Sequence, residues 1–133
     1  MQTKVLLIDD DFITTLMNKR ILQRELVDID THDFCSASLA LNFLKKDSNI
    51  SNVYFLIFLD INMPEINGWE FMEILEKDFS HLNFSIHLLT SSVDKNDKIK
   101  AREYKSVESY IVKPLNRDKL PQQLNLGPLR HLD

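Results

Sequence analysis

Asp9-Asp10, Asp60, Thr90 and Lys113 each stand directly behind a run of apolar residues. Val5-Leu6-Leu7-Ile8 leads into Asp9-Asp10, and Tyr54-Phe55-Leu56-Ile57-Phe58-Leu59 leads into Asp60. Ile86-His87-Leu88-Leu89, apolar but for His87, leads into Thr90, and Tyr110-Ile111-Val112 leads into Lys113-Pro114. Brought side by side, three carboxylates, a hydroxyl and an ammonium make a site for one divalent cation and one phosphoryl group. A hard cation such as Mg²⁺ takes oxygen ligands in an octahedron and keeps several waters. One or two carboxylates from Asp9-Asp10 and one from elsewhere suit it.

The same residues admit plainer readings. Asp9, Asp10 and Asp11 can cap a following helix, although three aspartates exceed what one cap requires. Asp60 can cap the turn before Gly68. Yet a carboxylate behind six apolar residues is costly to bury without a partner. If Asp60 faces Asp9 and Asp10, like charges at ~4 Å repel by about 4 kcal/mol each at an effective dielectric near 20. A divalent cation relieves that repulsion, and an attacking carboxylate can then form an acyl phosphate. The main-chain oxygen of Asn62 is a further candidate ligand. Thr90 supplies a hydroxyl donor and Lys113 a compact charge on a long reach. Pro64 stiffens the loop after Asp60, Gly68 permits an unusual backbone angle, and Pro114 fixes the turn that aims Lys113. Ser91 is small and leaves room above the site.

These groups meet only if the apolar runs are strands of one parallel sheet. The sequence supports that. Lys4–Asp9 reads as a strand, and Phe12–Leu26 as a helix with Ile13, Leu16, Met17 and Ile21 at helical spacing. Asp28–Phe34 is a weak second strand, and Ser38–Lys46 a helix burying Leu41 and Leu44. Val53–Leu59 is apolar throughout, as a strand covered on both faces is. Gly68–Phe79 is an amphipathic helix through Phe71, Met72 and Leu75. Phe84–Leu89 is the fourth strand, Lys95–Tyr104 a highly charged helix, and Val107–Val112 the fifth strand. A last short helix lies within Asn116–Leu126, and Gly127-Pro128 opens a tail. Strand and helix alternate five times, which argues for a doubly wound α/β domain with a five-stranded parallel sheet. Ligands of such sheets bind at the carboxyl ends of the strands.

The 133 residues suffice for one domain with one real core, expected over 1–126 with 127–133 as the tail. A net charge of −4 gives no hint of nucleic-acid binding. No apolar stretch approaches the ~20 residues of a membrane span. Cys35 is the sole cysteine and the N-terminus enters a strand at once, so a cytoplasmic protein is expected.

Asp9-Asp10, Asp60 within Asp-Ile-Asn-Met-Pro, Gly68, Thr90-Ser91, Tyr110 and Lys113-Pro114 occur in this order. The spacing is 30 residues from Asp60 to Thr90 and 23 from there to Lys113. On these motifs the chain resembles the receiver domains of two-component response regulators, chemotaxis receivers among them, over residues 3 to 126. The resemblance implies a flavodoxin-like (βα)5 fold with strand order 2-1-3-4-5. It implies that Asp60 accepts a phosphoryl group from a histidine kinase or a histidine phosphotransfer protein. Asp9, Asp10, Asp60 and Asn62 would hold Mg²⁺. Lys113 would pair with the Asp60 carboxylate and then the phosphate, while Thr90 moves toward the phosphate and Tyr110 changes rotamer behind it. Asn62 and Ser92 would tune a measurable autodephosphorylation. Such a domain is not otherwise an enzyme. It would switch the binding of a downstream protein or relay phosphate, here with no output domain in the chain.

Some features depart from that pattern. Residues 104–109 lack the glycine many receivers carry before the fifth strand, and Pro121 lies where the last helix runs, so that helix should begin near Asp118. His32, His81, His87 and His131 read as structural or solvated, and Trp69 as lying at the rim of the site. Two alternatives use other chemistry. A haloacid-dehalogenase-type phosphohydrolase would use Asp9 as nucleophile in Asp9-Asp10-Asp11. Phe12-Ile13 replaces its hydrophobic-Thr step, however, and no acidic pair follows Lys113. A phosphate-independent docking module would bind its partner equally well without Asp60.

Overall fold

The computed structural model describes residues 2–26, 29–47 and 52–116. Among these residues five strands and four helices alternate: β1 (Gln2–Ile8), α1 (Phe12–Glu25), β2 (Asp30–Phe34), α2 (Ala37–Asp47), β3 (Val53–Leu59), α3 (Gly68–Asp78), β4 (Asn83–Thr90), α4 (Lys95–Ala101) and β5 (Val107–Val112). All strands are parallel in the order β2-β1-β3-β4-β5. The expected fold class and order are therefore present. The expected last helix within 116–126, the Pro121 interruption, His131 and the tail from residue 127 lie outside the described residues.

The period-2 alternation of side chains divides the core between the two faces of the sheet. Leu6, Ile8, Phe55, Ile57 and Leu88 pack on one face with Ala40 and Leu44 of α2 and Phe71, Met72 and Leu75 of α3. Val5, Leu7, Leu56, Phe58 and Leu89 pack on the other with Leu22 of α1. β3 is buried on both faces, as its continuous apolar run predicts.

α1 turns a different side inward from the one expected. Ile13, Leu16 and Met17 are 63%, 38% and 54% exposed, and Ile21 is half-buried. Thr15, Asn18 and Leu22 are buried instead. The helix start is fixed by Asp11, which accepts hydrogen bonds from the N–H groups of Ile13 and Thr14, and Leu22 packs in the core. The buried Thr15 hydroxyl donates to the Asp11 carbonyl at 3.0 Å, which satisfies its polar group. α4 is also shorter than its charge pattern suggested. After Ala101 the chain tightens, with N–H groups of Arg102, Glu103 and Tyr104 bonded three residues back. β2 begins at Asp30 rather than at residue 28, which is not described.

Trp69 is not at the rim. It is 9% exposed and belongs to the core, stacked on Tyr104 at 5.8 Å between ring centroids, with the Lys100 ammonium 4.7 Å from its own ring centroid. The start of α3 is pressed onto the backbone after Asp60, which directs Trp69 inward.

His87 lies in the middle of β4, fully buried, stacked on Phe58 and hydrogen-bonded through Nδ1 to Ser109. Burial pushes its pKa down to about 4 from the usual 6.5. The folded value is the lower one, so stability should fall as pH drops from 6.5 through 4. A His87→Leu variant is therefore expected to gain stability relative to wild type as pH falls through that window, read as the difference between their urea midpoints. A difference that does not change with pH would show that His87 makes no such contribution.

Candidate functional site

The sheet carries its ladder one residue beyond three strands. The Asp9 N–H donates to the Phe34 carbonyl, that of Asp60 to Ile8, and that of Lys113 to Thr90, at 3.1, 3.0 and 2.8 Å. With Ile8 paired to Leu59 and Thr90 to Val112, the four strand ends form one row. Asp9, Asp10 and Asp60 each offer a carboxylate oxygen within 4.8 Å of the others.

Asp9 and Asp60 are each 6% exposed, whereas Asp10 is exposed. Both Asp9 oxygens are engaged: Oδ1 accepts the Asp11 N–H at 2.9 Å, and Oδ2 accepts from Lys113 Nζ at 2.7 Å. Asp60 is held more loosely. Its Oδ1 accepts the Asn62 N–H at 3.3 Å, and its Oδ2 lies 3.6 Å from Lys113 Nζ. Lys113 lies within ion-pair distance of Asp60, at 3.6 Å, and makes its shorter contact, 2.7 Å, with Asp9.

Electrostatics follow from this arrangement. Burial raises the Asp60 pKa to about 6; Lys113 opposes the rise and Asp9 adds to it. For Lys113, burial works against the ammonium. Its hydrogen bond to Asp9 and the charge of Asp60 outweigh that, so its pKa lies above the ordinary lysine value. One ammonium thus faces two buried carboxylates and a third at the surface, and negative charge is left over. An all-oxygen donor set with excess negative charge fits a hard divalent cation.

Around this centre, Thr90 is fully buried and its Oγ1 accepts the Ser92 N–H at 3.2 Å. Ser91 and Asn62 are exposed. Tyr110 is half-buried, its hydroxyl donating to the Ser92 carbonyl at 3.0 Å. Pro64 is exposed, and the Lys113-Pro114 peptide bond is cis.

Gly68 is needed for a reason other than the expected one. It has no positive φ. A Cβ on it would lie 2.7 Å from the Asp60 carbonyl oxygen and 2.8 Å from the Ile61 Cα, so close backbone approach excludes a side chain. α3 starts there, capped by Asn67, whose side chain accepts the Glu70 N–H while Glu70 accepts the Asn67 N–H.

Thr15 and Asn18, which were not singled out from the sequence, line a water-sized cavity with Asp9 and Asp60. Their signal was present: two polar residues at i and i+3 on the side of α1 opposite its apolar stripe.

The model of the response regulator receiver domain matches residues 5–125. The chain belongs to this family. The receiver domain is similar to a two-component response regulator of Cytophaga hutchinsonii, with a TM-score of 0.84, 32% identity and 98% of each chain covered. A CheY-like receiver domain protein of Methanospirillum hungatei gives 0.74 and 25%, covering 98% and 99% of the two chains. Among curated proteins, the response regulator ArlR of Staphylococcus saprophyticus is 29% identical over 118 residues, and hybrid signal transduction histidine kinase L of Dictyostelium discoideum 30% over 122. The matches cover 89% and 90% of this chain but only 49% and 7% of those proteins. Receiver domains are signalling modules. Among the described residues no helix is long and apolar enough to cross a membrane.

Proposed function

We propose that this receiver domain accepts a phosphoryl group on Asp60 from a histidine kinase or a histidine phosphotransfer protein, in a Mg²⁺-dependent reaction in the cytoplasm. The observation that carries this is the contrast between the two buried carboxylates. Asp9 has both oxygens tied, whereas Asp60 has one oxygen only 3.6 Å from Lys113 and a pKa raised by burial. A poorly solvated, loosely held carboxylate is the better nucleophile. The same contrast counts against a phosphohydrolase with Asp9 as nucleophile.

In the reaction, an Asp60 oxygen attacks phosphorus as the bond to the donor's imidazole nitrogen breaks, and that nitrogen keeps the electron pair. Asp9, Asp10, Asp60 and the Asn62 carbonyl would hold Mg²⁺, which when bound neutralises phosphoryl oxygens. Lys113 supplies a second positive charge at the acceptor, and the Thr90 hydroxyl a donor. The acyl phosphate later hydrolyses at the same site, and its presence alters binding of a downstream protein.

Incubation with Mg²⁺ and acetyl phosphate should add one phosphoryl mass to the wild type and none to Asp60→Asn. An equal gain on both would refute the assignment. The donor should also cover the surface beside Asp60. Phe12, Ile13, Leu16 and Met17 are exposed on α1, which begins two residues after Asp10. A Phe12→Ser, Met17→Ser double variant should slow transfer from a phosphotransfer protein by at least about tenfold. Labelling by acetyl phosphate should not change, and equal slowing with both donors would count against a docking role for α1.

A further inference from the structure

Every polar atom of Ser92 is engaged, and its partners lie on three elements. Its N–H donates to Thr90 Oγ1 at the end of β4, and its carbonyl accepts the Tyr110 hydroxyl from β5. Its own hydroxyl donates to Asp97 Oδ2 in the first turn of α4 at 2.6 Å and accepts the Asp94 N–H at 3.3 Å.

The Asp97 bond has a local cause. Asp94 caps α4, with its side chain accepting the Asn96 N–H, and Asp97 is the third helical residue. A glutamate at that place commonly reaches back to the N–H of the cap residue. Aspartate is one methylene shorter, and here the Ser92 hydroxyl stands between, taking the Asp94 N–H and giving its proton to Asp97. The helix start is thereby built around a residue of the preceding loop. A hydrogen bond to a carboxylate is also stronger than one between neutral groups.

We propose that Asp97 is a positioning residue that joins Thr90 to Tyr110. By holding the Ser92 hydroxyl, it fixes both peptide units of Ser92, one meeting Thr90 and the other meeting Tyr110. The inference rests on the proposed function to the extent that Thr90 senses a phosphoryl group on Asp60. No other hydrogen bond from α4 to the Thr90 loop is present among the described residues besides those made by its cap residue Asp94. A shift at Thr90 therefore reaches Tyr110 through a peptide whose position the helix sets.

The test uses the full chain with 3-fluorotyrosine, the Tyr110 resonance being assigned through Tyr110→Phe, with Mg²⁺ and beryllofluoride as the phosphoryl mimic. In the wild type, saturation should displace the Tyr110 resonance. In Asp97→Ala the mimic should still bind within about threefold of wild type, while the population of docked Tyr110 falls about tenfold. Ser92→Ala breaks the same bond from its other end and should lose the Tyr110 response as well, which keeps the test decisive should Asp97→Ala fail to fold. Asp97→Asn keeps an acceptor oxygen and Ser92→Thr keeps the hydroxyl, so both should restore the response. A wild-type Tyr110 response in both alanine variants would overturn the proposal, and so would an Asp97→Asn variant as uncoupled as Asp97→Ala. A wild type that takes up no beryllofluoride would instead overturn the phosphoryl reading. The link would then stand or fall on mimic-free spectra, where Asp97→Ala alone should displace Tyr110 and Asp97→Asn should not.

Discussion

Asp60→Asn is expected to stabilise the metal-free protein at about pH 8 by up to about 3 kcal/mol, while removing the proposed phosphoacceptor. The Asp60 pKa is about 6 when folded, against 3.8 when unfolded, with burial as the main cause. Between these values the folded state binds more protons, so stability falls as pH rises through the window. Above it the penalty is complete; below about pH 4 both states are protonated and the benefit of asparagine disappears. Urea midpoints for wild type and variant should therefore diverge from acid to alkaline pH. Equal midpoints at about pH 8 would mean that the Asp60 carboxylate carries no penalty. Mg²⁺ should raise the wild-type midpoint and leave that of Asp60→Asn much less changed, since a ligand stabilises only the state that binds it. His87 shifts stability in the opposite sense over an overlapping range, its pKa being lowered to about 4. The two groups offset each other, so the wild type should vary little with pH where each single variant varies strongly.

Gly68→Ala is the second large effect, at about 3 kcal/mol of lost stability, because the contacts are with backbone and cannot be relieved by a rotamer. The added Cβ would meet the Asp60 carbonyl oxygen at 2.7 Å and the Ile61 Cα at 2.8 Å. Either α3 backs away from the sheet, opening gaps around Phe71 and Met72, or the Asp60 peptide tilts. The second outcome would also misplace the carboxylate, so phosphoryl uptake from acetyl phosphate should slow together with the fall in urea midpoint. A variant as stable as wild type would show that the approach is softer than these distances imply.

β1, β3, β4 and β5 were legible because each holds a short apolar run with a polar end, and β3, covered on both faces, could hardly be read otherwise; β2, Asp-Thr-His-Asp-Phe, carries only a weak signal. The strand-end site followed from that, since register places Asp9, Asp60, Thr90 and Lys113 in one row. What was hidden depended on orientation. α1 has apolar residues on more than one side, and periodicity alone favours Ile13, Leu16 and Met17; the buried side carries Leu22 with the polar Thr15 and Asn18, and the back-bond that satisfies Thr15 is one no hydropathy pattern contains. The closer contact of Lys113 to Asp9 was hidden for a similar reason, because one ammonium reaches both Asp9 and Asp60 and hydropathy does not rank the two. Gly68 was recognised as necessary, but a glycine in sequence does not distinguish a left-handed turn from a crowded contact.

Trp69 is the one tryptophan of the chain, held between the Tyr104 ring and the Lys100 ammonium. It adjoins Gly68, which touches the Asp60 peptide, and both of its other neighbours belong to α4 and the turn that follows. The molecule therefore carries a single indole fluorophore, at the point where the loop after Asp60 and α4 meet. Emission from that indole records their relative placement, and any displacement of Lys100 or Tyr104 would register as a change in its colour or brightness.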